Sequence, residues 1–154
     1  MCKKHFNHNK MRIELSTHIE NRTIVNIFQK FDEALFLKLA PPLPSSKLIR
    51  FDGCKTNDVV ALKIKILFTW HLWESLIVSN KHTDSEINFV DKGTTLPFFL
   101  SSWEHRHRIV QEKNDVLIID DIEFFAHNKV LTLLSFPILY LMFAMRKPIY
   151  RKEL

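Results

Sequence analysis

Glycine is almost absent from these 154 residues, occurring only as Gly53 and Gly93. Phosphate-cradling loops and the G-x-S-x-G nucleophile elbow each need several such residues, so neither chemistry is available here. Cysteine is equally scarce: Cys2 stands at the N-terminus, Cys54 follows a turn, and neither belongs to a CxxC or Cys/His spacing. That excludes a disulfide framework and a cysteine-based zinc cluster, and it points to a reducing, cytoplasmic setting. HExxH and other dense ligand spacings are also missing, so neither a metal site nor a cofactor is expected. Cys54, with no base assigned to it, is expected to be a packed side chain and not a nucleophile.

The first ten residues are basic and rich in His and Asn but lack the apolar run and small-residue cleavage site of a signal peptide; 1–10 reads as an N-terminal arm. The net charge of +5 is spread over that arm and over Arg146, Lys147, Arg151 and Lys152, without a basic stripe interleaved with aromatics. Nucleic acid is therefore not an expected partner.

What the chain does have is apolar bulk. With 46% hydrophobic residues, thirteen Phe and three Trp, it can bury an aromatic-rich core as one domain, taken as 11–147 and followed by a basic tail, 148–154. From Met11 to Glu20, Ile13, Leu15, Thr17 and Ile19 alternate with Arg12, Glu14, Ser16 and His18, the period of a half-buried strand. Asn21 is placed to cap a helical segment. There Ile24, Ile27, Phe28, Phe31, Leu35 and Leu39 recur at helical spacing, predicting two short helices stopped by Pro41 and Pro42.

Strands are then predicted at Lys47–Phe51, before the Asp52-Gly53 turn, at 60–66, at Trp70–Ser79 and around Ile87, Phe89 and Asp91, with a loop at Gly93. In Phe99–Ile109, Trp103, His105, His107 and Ile109 share one face, and in Val116–Phe125 so do Val116, Ile118, Asp120, Ile122 and Phe124. Asp120 is the odd member of an apolar row. A long helix, capped by Asn128, runs to Arg146 and ends before Pro148. The order is strand, two helices, six strands, long helix.

Certain pieces in this order carry a resemblance: Leu39-Ala40-Pro41-Pro42, Phe89-Val90-Asp91, Pro97-Phe98, Trp103-Glu104-His105-Arg106-His107 and Asp120-Asp121-Ile122-Glu123-Phe124. They resemble the SRPBCC, or START-like (Bet v 1-like), superfamily, in its cell-division-inhibitor-like or polyketide cyclase/dehydrase-like branch. Leu96 stands where a Gly usually precedes the Pro-Phe pair, and Ala126-His127-Asn128 replaces the usual Pro-Phe-Gly ending. The resemblance implies an α+β helix-grip fold, a curved antiparallel sheet of about seven strands with the long C-terminal helix over its concave face. It also implies binding of a small hydrophobic ligand between sheet and helix, with catalysis in only some branches.

His105, His107 and Asp120 then admit three readings: they satisfy one another in the cavity wall, they anchor a ligand's polar end, or they act as acid and base in a cyclase, dehydratase or hydrolase reaction. Trp103, Phe89, Phe124, Leu134 and Ile138 complete the expected ligand-binding set.

Between Lys129 and Arg146 the only polar side chains besides the Tyr140 hydroxyl are Thr132 and Ser135. At about 1.5 Å per residue this stretch spans about 24 Å, short of the roughly 30 Å of a bilayer core, and Pro137 is expected to bend it. Thr132, Ser135, Leu139, Met142 and Arg146 are assigned to the outer stripe, leaving Val130, Leu134, Ile138, Leu141 and Met145 toward the sheet. That outer stripe is apolar enough to raise a membrane surface or a second subunit as partners, with the basic tail assisting.

Overall fold

The structure is a computed structural model, described for residues 10–40 and 45–154. The expected roles of Cys2, of Pro41 and Pro42 and, Lys10 apart, of the N-terminal arm lie outside these residues.

Strand β1 (Met11–Ile19) alternates as its sequence demands, burying Ile13, Leu15, Thr17 and Ile19 and exposing the charged side. Two helices come next, α1 (Ile24–Phe28) and α2 (Glu33–Leu39). Thr23, not Asn21, caps α1 by accepting from the Asn26 amide, while Asn21 takes positive φ and donates its backbone N–H to Asp115. Asp32 caps α2.

The chain then lays down β2 (Ser46–Phe51), β3 (Val59–Ile66), β4 (Thr69–His82), β5 (Glu86–Thr95), β6 (Leu100–Glu112) and β7 (Asp115–Ala126) as an antiparallel meander. β1 pairs with β7, so the seven-stranded order is β1-β7-β6-β5-β4-β3-β2 and the first two strands in sequence form the two edges. Bulges at Thr94 in β5, opposite Glu74 and Ser75, and at Val78 in β4, between Ile77 and Ser79, break the register and bend the sheet. β5 runs on through Gly93, where a loop is expected, because the absence of a side chain lets Leu96 and Trp103 Cβ close over the backbone.

Asn128 caps α3 (Lys129–Ala144), and after Met145 the chain continues into α4 (Arg146–Glu153). Pro148 does not end this helix. It sits in the first turn of α4, where no intrahelical partner is required for its missing amide. Residues 148–154 are accordingly not a tail: Tyr150 is 0% exposed and Leu154 4%, packed with Ile19, Ile27, Leu35, Ile109 and Ile118. Lys38 binds Glu153, and Arg22 donates to the Leu154 carbonyl.

α3 lies across β7 and β1 with its orientation opposite to the expected one. Thr132, Ser135, Leu139 and Phe143 face the sheet, and Val130, Leu134, Ile138 and Leu141 face outward. The reason is a directed bond. Thr132 Oγ1 accepts from the buried Ala126 amide at the end of β7 (3.0 Å) and donates to the Asn128 carbonyl (2.7 Å), which fixes the helix in rotation. By length and composition α3 and α4 taken together, Lys129–Glu153, would suffice to cross a membrane; the inner stripe of α3 is instead committed to the sheet, and Tyr150 enters the core.

Candidate functional site

The bent sheet, α2 and the end of α3 enclose a cavity of about 440 Å³. Its walls are mostly apolar: Leu35 and Leu39 from α2, Ile64 from β3, Trp73 and Ile77 from β4, Phe143 from α3. The ionisable groups that the sheet contributes lie on β5 and β6, where strand alternation directs Phe89 and Asp91, and Trp103, His105 and His107, to the concave face.

Register builds the cluster. Asp91 lies opposite His105 across β5 and β6, and His107 opposite Asp120 across β6 and β7. His105 thereby reaches both carboxylates, with Nε2 3.0 Å from Asp120 Oδ1 and Nδ1 3.4 Å from Asp91 Oδ2. His107 Nε2 is 3.5 Å from Asp91 Oδ2; its buried Nδ1 lies 3.4 Å from Asp120 Oδ1 without a hydrogen bond's alignment. Trp103 Nε1 donates to Asp91 Oδ1 at 3.1 Å, and the Tyr150 hydroxyl donates to Asp120 Oδ1 at 3.4 Å. Phe89 stacks on His107 at 4.3 Å, and Phe143 presents an edge contact to His105 at 5.0 Å.

These contacts drive the two histidines apart. Burial alone would lower His105, but Asp120 and Asp91 outweigh it and raise its pKa, so it favours the imidazolium. Burial and the charge of His105 push His107 down to about 4, leaving it neutral at pH 7. Burial alone would raise both carboxyls, yet the facing imidazoles hold Asp91 below the usual range and bring Asp120 to about 2. Tyr150 is pushed up by burial and then by Asp120. Cys54, also on the cavity wall, is pushed up to about 12 by burial, the state of a packed thiol.

Of the residues expected here, Phe89, Trp103, His105 and His107 line the cavity. Asp120 stands behind the histidines, 3% exposed. Phe124 is fully buried, in one cluster with Ile13, Leu139 and Phe143, and is not itself part of the cavity lining. Leu134 and Ile138 do not belong to the site at all: they are 62% and 59% exposed, because Thr132 turns that face of α3 outward.

Asp91, Arg146 and Tyr150 were not among the expected site residues. Asp91 carried the same signal as Asp120, a lone carboxylate in the row Ile87, Phe89, Asp91. Arg146 reaches the cavity and stacks over Phe143 at 4.0 Å, although the sequence pattern assigns it to the outer stripe. The expectation of no metal site rested on missing ligand spacings such as HExxH, with no third and fourth ligand placed beside the two histidines. Asp91 supplies one, and Asp91, His105 and His107 each place a donor atom within 4.8 Å of the others.

No protein-family model matches the sequence, and no curated protein does. Solved structures do match in fold. Ginseng major latex-like protein 151 from Panax ginseng superposes with a TM-score of 0.64 at 15% identity, over 95% of this chain and 99% of that one. The di-domain ARO/CYC protein StfQ from the steffimycin biosynthetic pathway gives 0.66 at 10% identity, over 94% of this chain and 50% of its own. Truncated norcoclaurine synthase from Thalictrum flavum gives 0.59 at 8% identity, over 88% and 89%. The fold is thus the Bet v 1-like helix-grip fold expected from the sequence, and the likeness extends over nearly the whole chain.

Proposed function

We propose that this helix-grip chain is a cytoplasmic carrier or sensor that holds a small, mainly apolar molecule, of the lipid, isoprenoid or polyketide kind, inside its cavity. The observation that carries this reading is the cavity itself. Its volume of about 440 Å³ falls within the range of small-molecule sites, and an apolar wall with a few convergent polar groups is their usual lining. His107 and Asp91 would meet the polar end of the guest and Trp73, Ile77 and Leu39 its apolar body. Native mass spectrometry of protein purified from cells tests this: a bound mass that an Ile77→Trp variant, folded but with a filled cavity, no longer retains supports it. An empty cavity that also fails to bind a fluorescent fatty-acid probe refutes it.

One observation favours a second reading. A neutral imidazole beside a carboxylate on a cavity wall is a proton acceptor in waiting, so His107 with Asp91 could serve a cyclase, dehydratase or hydrolase reaction, with His105 and Asp120 fixing the ring. In that case His107→Gln abolishes turnover while leaving guest binding intact; in a carrier it changes binding alone. The exposed aliphatic face of α3 further suggests a peripheral membrane contact, read out as sedimentation with anionic vesicles that weakens as salt rises.

A further inference from the structure

We propose that Asp91, His105 and His107 form a zinc site, with Asp91 Oδ2, His105 Nδ1 and His107 Nε2 as its three ligand atoms and the fourth position open to the cavity. The spacing of these atoms carries the argument. Asp91 Oδ2 is 3.4 Å from His105 Nδ1 and 3.5 Å from His107 Nε2, longer than well-formed hydrogen bonds between such groups. Bonds of about 2.0–2.1 Å in tetrahedral array separate neighbouring ligand atoms by roughly 3.3–3.4 Å, whereas octahedral array at the same bond length separates them by roughly 2.9–3.0 Å. The two separations from Asp91 Oδ2 match the tetrahedron, and the two histidine nitrogens lie within 4.8 Å of each other.

Two of the ligands are also held by their far side, and the third faces an acceptor there, as in sites built for a metal. His105 turns Nε2 to Asp120 Oδ1 at 3.0 Å, which leaves Nδ1 free for the ion. Trp103 Nε1 occupies Asp91 Oδ1 at 3.1 Å and leaves Oδ2 free. His107 points its unpartnered, buried Nδ1 toward Asp120 at 3.4 Å, so ligation through Nε2 would fix that proton where an acceptor already waits. With both imidazoles neutral, the charges of Asp91 and Asp120 balance a divalent cation. Two imidazoles and one carboxylate suit zinc, and three protein ligands with an open position are the pattern of a site that takes water or an exogenous ligand. This inference stands apart from the identity of any apolar guest.

Cobalt(II), added to full-length protein stripped with chelator, is the probe. The expected result is one equivalent bound, with the intense visible d–d bands of four-coordinate cobalt, displaced by zinc, and two hyperfine-shifted exchangeable imidazole N–H resonances. Asp91→Asn and His107→Gln, checked for folding by circular dichroism, should weaken binding at least 100-fold, and Asp120→Asn about 10- to 100-fold. Absence of saturable binding, the faint spectrum of six-coordinate cobalt, or an equivalent retained by both folded ligand variants would overturn the assignment. Should the variants fail to fold, the wild-type spectrum and imidazole count decide alone.

Discussion

The inner face of α3 carries a threonine and a serine among Leu139 and Phe143, whereas the outer face, turned to solvent, carries Val130, Leu134, Ile138 and Leu141. A helix sorted by hydrophobicity would be rotated the other way. Where both faces are oily the transfer energies nearly cancel, and the balance falls to the group that cannot be left unsatisfied. Here that group is the Ala126 amide, buried where β7 ends, which donates to Thr132 Oγ1. Leaving that amide unpaired would cost about 1–3 kcal/mol.

The largest effect that would sharpen this comparison comes from the inner face. Phe143→Ala should cost about 3–5 kcal/mol in urea denaturation, since it opens a void over His105 and Trp103. A loss below about 1 kcal/mol would mean that the inner face is not the packed one.

The ionised layer beneath that face gives a second test, in metal-free protein. His107 has its folded pKa lowered to about 4, so its contribution is present above the unfolded value near 6.5 and lost as pH falls through about 4. His105 is raised, so its contribution is complete below about 6.5 and lost as pH rises through its folded value. Stability should therefore peak near pH 6.5, and His107→Gln should remove most of the acid-side decline, on the order of 3 kcal/mol. Denaturation curves across pH that are the same for wild type and variant would contradict this.

Thr132→Val keeps the shape of the inner face and deletes the acceptor; it should lose about 1–3 kcal/mol, with faster hydrogen exchange at the Ala126 amide. The smallest effect belongs outside. Leu134→Ser with Ile138→Ser should change stability by less than about 0.5 kcal/mol each and yet abolish sedimentation with anionic vesicles. A loss of several kcal/mol from that pair would reverse the assignment of faces.

The sheet was legible because one-sided burial imprints a period of two: Ile13, Leu15, Thr17 and Ile19 announce β1, and Trp103, His105 and His107 announce the site on β6. The rotation of α3 was not, because its stripes differ little in polarity and a remote amide decides between them. Pro148 read as a stop since proline breaks helix interiors, but a restart at Arg146 places it in a first turn. Asp91 was visible as a carboxylate in an apolar row; its place opposite His105 depended on the register of β5 on β6. Arg146 and Tyr150 join the cluster through contacts that no local pattern records.

Gly93 gives the scaffold a point of leverage at a distance. One added methyl there would collide with the Leu96 side chain and come within 3.2 Å of Trp103 Cβ. Leu96 can swing aside, but the indole is pinned between Trp73 and the Asp91 carboxylate, so the strain would travel down the tryptophan and misaim that oxygen. A chain nearly devoid of its smallest residue thus spends one of its two copies on keeping an indole straight, and the alignment of the polar floor hangs on a hydrogen atom two residues from Asp91.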